Sequence, residues 1–99
     1  MSKVLVVKDK KNRIIHLTDE RWKHITTKHT NITQISDIND TLTNPLIIKQ
    51  DKFDKDVCYY YKFNKLKSMY LMVAVKFLKN NGFVITSFYT KNIKKWTKN

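Results

Sequence analysis

The residues best suited to chemistry lie in one short segment, RWKHITTKH, which places two histidines among three fixed positive charges. Imidazole is the side chain best suited to proton transfer near neutral pH. Trp22 and Ile25 are three residues apart and share one face of a helix, and His29 lies one turn further along that stripe. His24 lies beside the stripe. The spacing predicts a helix, anchored through Trp22, that holds His24 at the edge of the core.

Both histidines also have a structural interpretation, because histidines on surface helices are more often packing or solvated residues than catalysts. His29 lies on the packing stripe itself, so a role in the fold is a direct alternative for that residue. His24 lies off the stripe, where the alternative is a solvated side chain without a function. The segment alone leaves both interpretations open.

The acidic residues do not predict a metal site. Metal-dependent nucleases hold magnesium with converging carboxylates, whereas the eight acidic residues here are scattered and Glu20 is the only glutamate. His24 and His29 are five residues apart, not the three or four that bring two helical imidazoles to one metal. Cys58 is the only cysteine, which excludes an intrachain disulfide and a cysteine-based zinc site. We expect neither a metal nor a cofactor.

Histidine, lysine, hydroxyl and aromatic side chains remain, and these suit a metal-independent ribonuclease. Such an enzyme needs a base for the ribose 2′-hydroxyl, an acid for the leaving 5′-oxygen and cations for the charged phosphorane. His24 and His29 can supply the base and the acid. Lys23 and Lys28 can supply positive charge beside them. Because the attacking oxygen is the 2′-oxygen, this chemistry is restricted to RNA.

The charge balance favours a polyanionic partner. Lysine and arginine together number 20 against 8 acidic residues, for a net charge of +12, and all but two of these cations are lysine. Lysine acts mainly as a point charge, which suits phosphate contacts better than the reading of base edges. A lysine-rich genome would give the same composition without a function. The sequence contains no signal peptide and no apolar run of membrane-spanning length, so we expect a cytoplasmic protein with no membrane partner.

A second group of candidates lies on a predicted strand near the C-terminus, where hydroxyls interrupt apolar residues. Ser87 and Tyr89 share one face of this strand, while Thr86 lies on the other. If Asn81 and Gly82 form a two-residue turn, Lys76 lies opposite Ser87, and a three-residue turn places it opposite Thr86. Threonine and tyrosine are also simply good strand formers.

The hydrophobic pattern predicts an α+β domain spanning residues 1–99, with an N-terminal hairpin and two helices packed on an antiparallel sheet of about four strands. Thr18 and Thr33 are the predicted N-caps of the helices. Ile93 and Trp96 suggest a short terminal helix or an ordered tail. The predicted strands cover residues 4–7, 13–17, 46–49, 57–63, 69–77 and 83–89, the helices cover residues 19–29 and 34–42, and turns lie at residues 9–12 and 80–82.

In their order and spacing, these motifs resemble the phage-associated barnase–EndoU–colicin–RelE-like nuclease superfamily. The resemblance covers roughly residues 15–90. It rests on W-x-H-I-x-x-x-H from Trp22, D-T-L-x-N-P from Asp40, Tyr59–Tyr60, L-x-V-x-V-K from Leu71 and GFVITSF from Gly82. The family pattern often places Pro-Glu after the second histidine, whereas this chain has Thr-Asn. The resemblance implies a metal-independent RNA endonuclease with the helix histidine and a strand hydroxyl at its site.

The sequence therefore predicts a toxin-like endoribonuclease acting on tRNA or mRNA. Its expected partner besides RNA is an acidic antitoxin or immunity protein, since a free ribonuclease would harm its own cell. The alternatives are a non-catalytic RNA- or DNA-binding module, a degenerate nuclease, and an interaction subunit with a basic face. The predicted catalytic residues are His24, His29 and Thr86, and the predicted substrate-binding residues are Lys23, Lys28, Lys76, Ser87 and Tyr89.

Overall fold

The computed structural model describes residues 2–93, 97 and 98, which form seven strands and two helices. Most of the predicted elements are confirmed, with ends that shift by one or two residues. The helices are α1 (Asp19–Lys28) and α2 (Ile35–Thr43), and the strands are β1 (Lys3–Lys8), β2 (Ile14–Thr18), β3 (Ile47–Asp51), β4 (Val57–Asn64), β5 (Met69–Leu78), β6 (Asn81–Thr90) and β7 (Thr97–Lys98).

All seven strands of the described residues belong to one mixed sheet in the order β1-β2-β6-β5-β4-β3-β7. The prediction of about four antiparallel strands was therefore wrong in detail, although the α+β class is confirmed. The difference comes from β7, which pairs with β3, and from the N-terminal hairpin. The hairpin joins the same sheet because β2 pairs with β6 in parallel, with His16 opposite Phe83. Such a pairing between distant segments leaves no signal in either local sequence.

Both helices pack on one face of the sheet. Ile25 of α1 and Ile38 and Leu42 of α2 are fully buried in the main core with alternate residues of the strands, among them Ile15 and Leu17. A smaller cluster around Tyr61, Met72 and Ala74 lies on the opposite face. Successive strand residues alternate between faces, so His16, between two core residues, points to the face opposite the main core.

Local signals explain where the helices begin. The hydroxyl of Thr18 accepts a hydrogen bond from the amide of Arg21 at 3.2 Å, which confirms the predicted cap of α1. The predicted cap of α2 was wrong: Gln34 occupies the N-cap of that helix, without a capping hydrogen bond from its side chain in the described part of the chain. Burial of Ile38 and Leu42 therefore stabilises α2 in place of a side-chain cap.

The turn between β5 and β6 lies one residue earlier than predicted. Leu78 pairs with Asn81, so Lys79 and Asn80 form the turn, and Lys79 adopts a left-handed conformation with φ of 59°. Gly82 is therefore a strand residue. A β-carbon at this position would lie 2.7 Å from a ring carbon of Phe77 and 2.8 Å from a methyl of Val75. The only glycine is required by close packing between strands rather than by the turn.

We expect Gly82→Ala to lower the free energy of unfolding by about 1–3 kcal/mol, the usual cost of overpacking a core. The added methyl would force Phe77 or Val75 to move. Urea denaturation of the variant and of the wild type measures the difference. Asn80→Ala, which changes the turn without adding atoms to the core, is the control. An unchanged unfolding midpoint for Gly82→Ala would contradict the close-packing explanation.

The chain end is only partly described. Ile93 packs against the smaller cluster, while the predicted role of Trp96 lies outside the described residues. The two residues of β7 pair with Gln50 and Asp51 of β3. No helix among residues 2–93, 97 and 98 is long and apolar enough to span a bilayer.

Candidate active site

A cleft of about 480 Å³ opens where β2 ends and α1 begins, beside β6. This volume is within the range of small-molecule sites. Two imidazoles, a guanidinium and a carboxylate face it, together with an aromatic ring. The lining residues are His16, Thr18, Glu20, Arg21, His24, Phe83 and Val84.

Helix α1 supplies three of the charged or titratable groups. Glu20 and His24 are four residues apart, so their side chains are neighbours on one helical face, and Arg21 lies three residues before His24. All three are exposed. The neighbouring side of the helix is fixed by the fully buried Ile25 and by Trp22, which packs against the main core. The core therefore orients these polar groups towards the cleft.

Strand β2 supplies the second imidazole, His16. Its Nε2 lies 3.0 Å from the amide oxygen of Asn81. Because an amide oxygen only accepts hydrogen bonds, Nε2 is the donor in this pair, and Nδ1 is the other ring nitrogen. That Nδ1 atom is buried and has no hydrogen-bond partner among the described residues. His16 is therefore set up as a hydrogen-bond donor at Nε2.

The His16 ring also stacks on Phe83, with ring centroids 5.1 Å apart and an angle of 22° between the planes. These two residues face each other across the parallel β2–β6 pairing. The stack joins an imidazole and an aromatic surface in one wall of the cleft. Sequence reasoning missed His16, Glu20, Arg21 and Phe83 as site residues. The alternation of Ile15 and Leu17 could have indicated that His16 faces away from the core, but not what it faces.

The predicted site residues of α1 lie in different environments. His24 lines the cleft, whereas Lys23 and Lys28 are exposed on the same helix outside its lining. His29 is the C-cap of α1, and its amide donates to the carbonyl of Ile25 at 2.8 Å. The His29 ring lies 5.5 Å from the ring of Phe88. The structure brings His24, but not His29, into the cleft.

The predicted strand residues are not gathered around His24. Ser87 is fully buried, and its hydroxyl donates to the carbonyl of Met72 at 2.7 Å. Tyr89 is 9% exposed, and the ammonium of Lys67 lies 5.1 Å from its ring centroid. A phosphate cannot reach the Ser87 hydroxyl in this arrangement, and a base cannot stack on Tyr89 without displacing Lys67.

Both predicted registers for Lys76 were wrong. Lys76 pairs with Phe83, because the turn precedes Asn81 and Gly82. Its ammonium binds the carboxylate of Asp54, which raises the pKa of Lys76 and lowers that of Asp54. Thr86 instead pairs with Ala74, next to a register shift in β5 and β6. Neither side chain lines the cleft.

Several carboxylates outside the cleft each bind a separate partner. Asp9 binds Arg13, Asp40 lies 3.6 Å from the ammonium of Lys62, and Asp51 accepts from the Tyr59 hydroxyl at 2.7 Å. In the described ranges, no three residues of histidine, cysteine, aspartate or glutamate are placed to hold a metal ion. The cleft presents the chemistry of imidazole, guanidinium and a single carboxylate.

Comparison with known proteins identifies the family of the chain but none of its site residues. No curated protein and no solved structure matches the chain. A family model described as phage-Barnase-EndoU-ColicinE5/D-RelE like nuclease2 matches residues 1–99, which confirms the resemblance predicted from the ordered motifs. The chain therefore belongs to this nuclease family, PBECR2.

Proposed function

We propose that the protein is a metal-independent endoribonuclease whose active site is the cleft between β2, α1 and β6. The observation that carries this proposal is the meeting of Glu20, Arg21 and His24 with His16 in one cleft. These groups can accept a proton, donate a proton and bind a phosphate. Membership of a nuclease family supports phosphodiester cleavage as the reaction.

In the proposed reaction, the Glu20 carboxylate takes the proton of the 2′-hydroxyl, and the 2′-oxygen attacks phosphorus. The bond from phosphorus to the 5′-oxygen breaks, and the His24 imidazolium gives its proton to that oxygen. A 2′,3′-cyclic phosphate and a 5′-hydroxyl result. The spacing of four residues supports this division of roles, because it places both side chains on one face of α1, towards the same cleft.

Arg21 and His16 have supporting roles in this mechanism. The Arg21 guanidinium can bind two phosphate oxygens and offset the charge of the phosphorane. The Nε2–H of His16 can exchange its bond to Asn81 for one to a phosphate oxygen. Because the Nδ1 atom of His16 is buried, we assign His16 to charge stabilisation rather than to proton transfer.

The substrate and partner proposals rest on the surface charge. The net charge is +12, and lysines outside the cleft, including Lys23 and Lys28, are exposed. This charge suits tRNA or mRNA as substrate, and an acidic antitoxin or immunity protein as inhibitor of a toxin-like enzyme. We propose the cytoplasm as the place of action.

Incubation of the purified protein with total RNA in EDTA tests the proposed function. We expect cleavage in EDTA at a rate similar to that in magnesium. The variant Glu20→Gln/His24→Ala, purified in the same way, controls for contaminating ribonucleases. Cleavage that requires magnesium would overturn metal independence. Salt-dependent RNA binding without cleavage would instead support a non-catalytic binding module, which the net charge of +12 also favours.

We expect RNA affinity to fall steeply with salt. With about four to six phosphate contacts, the dissociation constant for a single strand should rise roughly 50- to 300-fold between about 50 and 200 mM salt. Fluorescence anisotropy of a labelled 2′-O-methyl oligonucleotide, which cannot be cleaved by 2′-oxygen attack, measures this dependence. An affinity that is insensitive to salt would contradict binding through lysine–phosphate contacts.

A further inference from the structure

One row of side chains crosses four strands on the face of the sheet opposite the main core. Val6 pairs with His16, His16 pairs with Phe83, and Phe83 pairs with Lys76. Residues that pair directly across strands point to the same face of a sheet. The row therefore continues from the wall of the cleft, at His16 and Phe83, out to the edge strand β1.

The middle of this row is aromatic, at His16 and Phe83, and its end on β1 is apolar and exposed. Phe83 is half-buried, with its ring nearly parallel to that of His16. Val6 is 54% exposed and Ile14, in the next row, is 37% exposed. The proposed mechanism uses neither the Phe83 ring nor these two aliphatic side chains. The charged groups of α1 and the Phe83 ring thus line the same cleft, while Val6 and Ile14 lie outside its lining.

We propose that Phe83 is the floor of a nucleobase subsite, which holds an unpaired base next to the scissile phosphate. This inference rests on the proposed function, because Arg21 and His24 fix where the phosphate lies. A nucleotide has a charged group and a flat apolar group, and the cleft presents matching surfaces side by side. Aromatic side chains bind bases by stacking with little dependence on base identity. Tyr89, the base-stacking residue expected from the sequence, is buried and lies outside the lining of this cleft.

The test measures binding of the full chain to an octamer of 2′-O-methyl uridine and to matched octamers with one abasic residue at each position in turn. We expect Phe83→Ala to weaken binding of the intact octamer roughly 5- to 150-fold, the range for loss of one base stack. At one position of the octamer, removing the base should weaken binding to the wild type by a similar factor. The same change should leave binding to Phe83→Ala almost unaltered. Phe83→Tyr, which keeps a ring, should restore most of the affinity.

Phe63→Ala is the matched control, because Phe63 is also a phenylalanine of the sheet and is 44% exposed. It lies on β4, six residues along that strand from the β4 residue that is in the same row as Phe83. That spacing corresponds to roughly 20 Å. Thermal unfolding of each variant is measured beside binding, and Phe83→Leu replaces the alanine variant if the latter does not fold. If Phe83→Ala weakens binding of the intact octamer and of every abasic octamer by the same factor, the proposed subsite is overturned.

This binding result is independent of the proposed catalysis, since 2′-O-methyl RNA cannot react. A base-dependent effect of Phe83 in a protein without EDTA-resistant cleavage would retain the subsite and overturn the proposed reaction. Cleavage in EDTA with no base-dependent effect of Phe83 would retain the proposed reaction and overturn the subsite. A protein strand that binds this surface in place of the octamer, with no effect of base removal on octamer binding, would also overturn the nucleobase proposal.

Discussion

His24→Ala is expected to slow RNA cleavage by about two to four orders of magnitude, the usual effect of removing a general acid or base. The imidazole lies in the cleft, and its loss removes the proposed proton donor for the 5′-oxygen. Trp22 and Ile25 still anchor α1 to the core, so the fold should be retained. Single-turnover cleavage beside thermal unfolding measures both quantities.

Glu20→Gln should have an effect of similar size, because it removes the proposed base while keeping the shape of the side chain. If Glu20 and His24 act as one pair, the double variant should be little slower than either single variant. His29→Ala is the matched control. It removes an imidazole that contacts Phe88 outside the cleft. It should therefore lower the free energy of unfolding while having little effect on the rate of cleavage. Cleavage by His24→Ala at the wild-type rate would contradict the assignment of His24 as the proton donor.

Asp9→Ala is expected to lower the free energy of unfolding by about 3 kcal/mol, the largest stability effect we expect in the chain. The Asp9 side chain is fully buried and accepts from the Tyr60 hydroxyl, from the amides of Lys11 and Arg13, and from the Arg13 guanidinium. Arg13 also lies over the Phe77 ring, 4.1 Å from its centroid. Removing the carboxylate leaves a buried hydroxyl and a turn without their acceptor.

The same carboxylate makes stability depend on pH. Burial acts to raise the pKa of Asp9, but the hydrogen bonds from Tyr60 and Arg13 and the Arg13 charge outweigh it and hold the pKa below its ordinary value of 3.8. A lowered pKa stabilises the fold above the ordinary value, and this stabilisation is lost as the pH falls through the pKa of the folded state. Asp9→Ala should therefore cost most at neutral pH and progressively less below about pH 4.

Urea denaturation at pH 7 and at pH 3 measures both parts of this prediction. Lys10→Ala, which changes the exposed neighbour in the same turn, is the control and should leave stability within about 0.5 kcal/mol of the wild type. If the difference in the free energy of unfolding between Asp9→Ala and the wild type is the same at both pH values, the stabilising role of the ionised Asp9 carboxylate is contradicted.

Local chemistry made much of the fold predictable. The Thr18 cap, the Trp22–Ile25 stripe and the apolar run of β5 each correspond to an observed element, because helix starts and buried strands depend on neighbouring residues. The family was predictable for a related reason, since the order of such motifs along the chain carries information that single motifs lack. The strand hydroxyls show the limit of local reasoning, because Ser87 donates to a strand carbonyl and faces the core.

The site was predictable only in part, because it is assembled by long-range pairing. His24 could be identified from its helix, but its companions depend on the parallel contact of β2 with β6. That contact places His16 beside Phe83, although the two residues are far apart in the sequence. The early turn at Lys79 likewise sets which residue Lys76 faces. A shift of one residue changes the face of every side chain on a strand.

The most direct test of the central claim is the chemistry of the cleaved bond. An RNA oligonucleotide that the protein cleaves in EDTA would be compared with one carrying a single 2′-deoxy nucleotide at the cleavage site, and the ends of the products would be identified. We predict no cleavage at the deoxy position, and a 2′,3′-cyclic phosphate or 3′-phosphate with a 5′-hydroxyl elsewhere. Cleavage at the deoxy position, or products with a 5′-phosphate, would contradict attack by the 2′-oxygen and with it the roles of Glu20 and His24.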